Sequence, residues 1–102
     1  MKLNGLDKEI VNVMEPEKVL TIGTKPATIA KAIANVLMTI PPKGEKAGTT
    51  VVDNYAAAIE LNKNPKSMDM DKEQVEFVKE HILTVYAPMV AAPVLQLLEE
   101  KQ

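Results

Sequence analysis

Apolar residues recur at helical spacing in four stretches of this chain, and in shorter extended runs near its start. Ile29, Ile33, Val36, Leu37 and Ile40 share one side of a helical turn and predict a helix from Thr24 or Lys25 to about Thr39. Thr24 is its expected N-cap, and Pro26 falls in the first turn, where proline is tolerated. Pro41-Pro42 ends it, because a residue before proline is pushed out of the α region. A loop with Gly44 and Gly48 as breakers should follow over residues 41–49.

A second helix is expected with Thr49 or Thr50 as N-cap and Asp53 in its first turn, where an acid suits the helix dipole. Val52, Tyr55, Ala56, Ile59 and Leu61 are its expected apolar side, and residues 62–65 stop it. Asp71, three residues before Gln74, has the spacing of a capping box and opens a third helix. Val75, Val78, Ile82, Val85 and Tyr86 line one face of that helix, with Phe77 beside them. Pro88 closes it and can open a last helix carrying Val90, Val94, Leu97 and Leu98. Pro93 within this segment implies either a kink or a helix that starts at Pro93.

The first 22 residues have a different texture. Lys2-Leu3-Asn4 and Glu9-Ile10-Val11 flank a polar turn at Gly5 and Asp7 and read as a small β-hairpin, with Val19-Leu20-Thr21-Ile22 as a third strand or a lead-in to the helix. Ser67 is expected in a loop. The resulting fold class is mainly α (α+β): about four helices packed as a small bundle with an N-terminal β-hairpin. The connections between elements are too short for an internal boundary, so one domain is expected over residues 1–102, with a hairpin or extended arm over 1–22 and the bundle over 24–100.

Composition narrows function mainly by subtraction. All 12 basic residues are lysine, there is no Cys or Trp, and the formal net charge is −2. Without Cys there is no disulfide scaffold, thiolate zinc site or Fe–S cluster. Without Arg, and with only two Tyr and one Phe, the usual tools of base stacking and bidentate phosphate contact are missing. Dispersed charge of net negative sign disfavours nucleic-acid binding. The N-terminal residues lack the apolar run of a signal peptide, and the longest apolar stretch, residues 85–98, is shorter than the roughly 20 residues a membrane span needs. A cytoplasmic protein without a membrane association is therefore expected.

The inventory for catalysis is thin. Ser67 is the only serine and His81 the only histidine, with nothing around Ser67 that looks like a nucleophile elbow. One histidine without neighbouring ligands gives no zinc site. Asp69, Asp71, Glu73 and Glu80 match part of a calcium loop, but Gln74 stands where the loop needs glycine and Val75 onward reads as helix. Neither a catalytic residue nor a metal ligand nor a cofactor is assigned, and an enzyme is not expected.

Two helix entrances have residues suited to anions, because free N–H groups and the helix dipole attract negative charge there. Gly23, Thr24, Lys25 and Thr28 form one, and Lys46, Gly48, Thr49 and Thr50 the other. Plain capping explains the same residues. Tyr55 and Tyr86 are candidate aromatic contacts, or core residues with a hydroxyl at an edge. The segment over residues 87–98 has few charges and fits either the core or a subunit interface.

Leu20-Thr21-Ile22-Gly23 before the first helix, Asn54-Tyr55-Ala56-Ala57-Ala58-Ile59, Met68-Asp69-Met70-Asp71, and Val85-Tyr86-Ala87-Pro88-Met89-Val90 before the last helix follow one another along most of the chain. In this order they resemble small uncharacterised proteins encoded by tailed phages and prophages. Lys25-Pro26 and Pro93 depart from that pattern. The resemblance implies a viral origin and a place in the host cytosol, and it brings no catalytic residue with it.

Three functional expectations follow. The first is a non-enzymatic phage accessory protein that acts by protein–protein contact, as a homo-oligomer or on a host or phage protein, in virion assembly or host takeover. The second is an anti-defence protein that sequesters a small nucleotide signal at the two helix entrances. The third, a small DNA-binding regulator, is the least favoured by charge and composition.

Overall fold

The computed structural model describes residues 2–12, 14–45 and 47–100. Among them are four helices and six short strands. The strands are β1 (Lys2–Asn4), β2 (Val11–Asn12), β3 (Glu15–Val19), β4 (Thr21–Ile22), β5 (Lys25–Pro26) and β6 (Ser67–Asp69). The helices are α1 (Ile29–Thr39), α2 (Ala47–Lys63), α3 (Lys72–Val85) and α4 (Pro88–Glu100). The mainly α fold with N-terminal antiparallel hairpin pairing is as the sequence implies.

Strand pairing differs from expectation in its detail. Residues 2–4 do not pair with residues 9–11. β1 pairs with β6 instead, Leu3 opposite Met68, across most of the sequence. The N-terminal hairpin is β2–β3, and β4–β5 forms a second one. Three-residue strands are too short to show alternation, so the Ser67 segment reads as loop until its partner is known.

The β4–β5 hairpin also moves the start of α1. Gly23 turns the chain at φ +65°, the left-handed conformation that a two-residue hairpin loop asks of its first central residue. Thr24 completes this turn and Lys25-Pro26 is strand, so the first helix begins at Ile29 rather than at Thr24 or Lys25. Thr28 is the N-cap, its hydroxyl accepting from the Lys31 N–H at 3.2 Å.

Residues 6–10 run beside residues 27–30 and bind them by backbone. Ile10 N–H donates to Ala27 O at 2.8 Å, and Ala30 N–H to Leu6 O at 2.7 Å. Leu3, Leu6 and Ile10 are wholly buried and belong to the core, so the N-terminal stretch packs with the helices.

The stripe on α1 is placed as its spacing predicts, with Ile29, Ile33, Val36 and Leu37 buried. α3 opens on the complete capping box: Gln74 N–H donates to Asp71 Oδ1 at 2.7 Å, and Asp71 N–H to Gln74 Oε1 at 3.4 Å. Val75, Val78 and Ile82 face inward from it. α4 starts at Pro88 and continues through Pro93, burying Ala91, Val94 and Leu98. Lacking an N–H, Pro93 leaves the Met89 carbonyl without its helical donor.

α2 departs most from its expected orientation. It begins at Ala47, so Thr49 and Thr50 lie inside the helix and neither caps it. The buried row is Asn54, Ala57, Ala58 and Leu61, set against α1. Val52, Tyr55 and Ile59, expected inward, are exposed. The helix carries two apolar rows, and the row of small residues is the one that lets α1 and α2 approach.

Candidate functional site

The entrance of α1 offers nothing to an anion. Its first N–H groups are all engaged: Ile29 N–H donates to Lys8 O at 3.1 Å, Ala30 N–H to Leu6 O at 2.7 Å and Ala32 N–H to Thr28 O at 3.1 Å. The Lys31 N–H goes to the Thr28 hydroxyl. An anion site at a helix start needs free donors. Gly23, Thr24 and Lys25 lie in the β4–β5 hairpin, and the Lys31 ammonium donates to Pro26 O at 3.0 Å.

At the second entrance, Lys46 lies outside the described residues. Gly48 and Thr49 are exposed in the first turn of α2, and Thr50 is half-buried. Thr50 lines a cleft of about 610 Å³ with Pro42, Lys43, Phe77, Glu80 and His81. There the His81 ring lies against Phe77, with centroids 4.7 Å apart and planes tilted by 56°. Ser67, in β6, is not part of this cleft, so the wall of His81 carries no serine nucleophile. No group of three His, Asp or Glu suited to a metal occurs among the described residues.

The two tyrosines have opposite situations. Tyr86, the C-cap of α3, is half-buried, and its hydroxyl accepts from Asn35 Nδ2 at 2.6 Å, which ties α3 to α1. Tyr55 is 55% exposed on α2.

Tyr55 is not alone. Val51 at 48%, Val52 at 65% and Ile59 at 37% exposure stand on the same side of α2. Met38 of α1, at 53%, meets this surface, since Met38, Pro41, Val51 and Tyr55 together line a shallow cleft of about 240 Å³. Scattered exposed apolar residues are ordinary, whereas a contiguous patch marks a contact surface. The only acids of α2, Asp53 and Glu60, each follow a row member (Val52 and Ile59) by one position, which on a helix turns them well away from it.

The sparsely charged segment over residues 87–98 fits either the core or an interface by sequence, and its Ala91, Val94 and Leu98 are core. The interface signal moves to α2. Its residues are legible in the sequence as an apolar row, which their spacing alone predicts to face inward.

Beneath this surface lies Asn54, 1% exposed, whose side-chain amide has no hydrogen-bond partner. Buried amides are nearly always paired. Nothing in the sequence pattern sets this asparagine apart.

No helix of the described residues is long and apolar enough to cross a membrane. No family model, curated protein or solved structure matches the chain.

Proposed function

We propose that this protein works by binding protein through the exposed row of α2, as a non-enzymatic accessory protein of a tailed phage or prophage acting in the host cytoplasm. The observation that carries the binding role is the row itself: Val51, Val52, Tyr55 and Ile59 held in water on one side of a helix whose other side is already packed. An apolar surface of this kind gains free energy when it is covered, about 25 cal/mol per Å² of apolar area removed from water. The phage setting rests on the sequence resemblance and is read from genome neighbourhood: phage genes should flank this one.

A photo-crosslinking amino acid at position 55, in cells that carry the natural gene cluster, tests the binding role. Position 60, on the acidic side of the same helix, serves as the control. The expected result is a discrete protein adduct from position 55 and none from position 60. Equal yields at the two positions would contradict a binding face on α2.

A second reading, sequestration of a small nucleotide, draws on the cleft at Lys43, Thr50, Phe77, Glu80 and His81, which sets one cation and aromatic walls beside one carboxylate. A bound nucleotide at 100 times its dissociation constant would stabilise the fold by about 2.7 kcal/mol, visible as a thermal shift. A panel of cyclic and linear nucleotides that produces no shift removes this reading.

A further inference from the structure

α2 is seated with less apolar burial than its neighbours. Its buried row, Asn54, Ala57, Ala58 and Leu61, holds one large apolar side chain in 17 residues. The shorter α1 buries Ile29, Ile33, Val36 and Leu37, and α3 buries Val75, Val78 and Ile82. α4 buries Val94 and Leu98 and adds the half-buried Val90, Leu95 and Leu97 to the same core. Burial free energy follows apolar area, and alanine supplies little of it.

The seat is also incomplete. α2 packs mainly on α1, and its packed side includes Asn54, so docking strips water from that amide and returns no hydrogen bond. Clefts of about 270 Å³ beside Ala34 and Leu61, and of about 240 Å³ beside Leu37 and Val51, interrupt the α1–α2 junction. Towards α3, Gln74 Nε2 donates to Asp53 O over 3.4 Å, a long contact. The links at both ends are exposed: residues 43–45, with Gly44 at φ +103°, and residues 64–66. The chain is pinned again directly after α2, where Leu6 N–H donates to Lys66 O at 3.1 Å and β6 pairs with β1.

We propose that α2 opens from α1 as a unit while α1, α3, α4 and the N-terminal strands stay folded, with the two exposed links as hinges. Segments with few buried apolar contacts are the ones that open below the global unfolding free energy. Opening bares Ala57, Ala58 and Leu61 on the helix, and Ala34 and Leu37 on α1. The closed and open states therefore offer different surfaces, and a partner selective for one shifts the balance between them. This device belongs to the isolated chain and does not rest on the protein-binding reading of α2.

Native-state hydrogen exchange of the isolated chain across low urea concentrations reads the opening. Amides of residues 52–63 should exchange at least about tenfold faster than the slowest amides of α1 and α3. Their urea dependence should also be shallower, because a local opening exposes less surface than global unfolding. Equal rates and equal urea slopes in α2 and α3 would overturn the proposal, and this comparison needs no variant. Val94→Ala adds a second test. Val94 lies in α4, which packs on α1 and α3, so the cavity weakens the core and leaves the α2 seat intact. The slowest amides of α3 should then speed up about tenfold, with residues 52–63 changing by less than about twofold. Residues 52–63 speeding up in step with α3 would overturn the separate opening. Asn54→Leu removes the unpaired amide from the closed seat and should slow α2 exchange about fivefold. An unchanged α2 rate in that variant would contradict an opening that releases Asn54.

Discussion

Asn35 Nδ2 donates to the Tyr86 hydroxyl at 2.6 Å, joining the middle of α1 to the end of α3 across 51 positions of sequence. Both side chains are partly buried, so the pair is sheltered from competing water. Tyr86→Phe removes the acceptor and leaves the Asn35 amide unpaired, at a cost of about 1 kcal/mol. Urea unfolding should show a lower midpoint with an unchanged slope. An unaltered midpoint would mean that water replaces the hydroxyl without loss.

Asn54 predicts the opposite sign. Its amide is buried without a partner, so Asn54→Leu exchanges an unpaired polar group for a similar apolar volume and should stabilise the chain by about 1 kcal/mol. Asn54→Asp makes the pH dependence visible. Burial raises a carboxyl pKa in the folded state, so the folded chain holds its proton to higher pH than the unfolded chain does. Stability of this variant then falls as pH rises from about 4, near the unfolded aspartate pKa, whereas the parent shows no such added slope. Parallel pH–stability curves for the two proteins would place Asn54 in contact with water.

Two glycines should respond in opposite directions to alanine. Gly23 holds φ +65° in the β4–β5 turn, and although a Cβ there meets nothing within 4 Å, the left-handed backbone itself costs about 1–2 kcal/mol for alanine. Gly48 lies in the first turn of α2 without a positive φ and with equally open surroundings, so Gly48→Ala should gain up to about 1 kcal/mol. Chemical denaturation of both variants at monomeric concentration checks the signs. A loss at Gly48 as large as that at Gly23 would contradict the open space around it.

Asp71→Ala removes the acceptor for the Gln74 N–H and should destabilise by about 1 kcal/mol, while Asp71→Ser retains a cap and most of the stability. Hydrogen exchange at the first turn of α3 is the local readout, faster in the alanine variant alone.

Local features of the fold are legible in the sequence, and long-range ones are not. The stripe on α1, the capping box at Asp71 and the Pro88 boundary are local features, written within a few adjacent residues, and the structure keeps them. The pairing of Leu3 with Met68 joins distant segments that carry no local mark of each other. The sequence alone sets the start of α1 too early because Gly23-Thr24 suits a hairpin turn as well as a helix entrance, and the backbone of residues 6–10 decides between them. On α2 the larger apolar residues suggested the core side, while close approach to α1 required Ala57 and Ala58. The candidate binding face was thus visible as a row of residues but not as a surface, since only the packed fold shows which of two rows is left in water.

Hydroxyl-radical footprinting with and without an extract of cells that carry the natural gene cluster tests that surface most directly. Tyr55 and Leu83, at 55% and 59% exposure on different helices, are both open to the radical, and each is scaled to its own rate in the isolated protein. If a partner protein covers α2, Tyr55 loses reactivity in the extract while Leu83 keeps its own. Tyr55 keeping its full rate, or Leu83 slowing to the same degree, would contradict a binding face on α2.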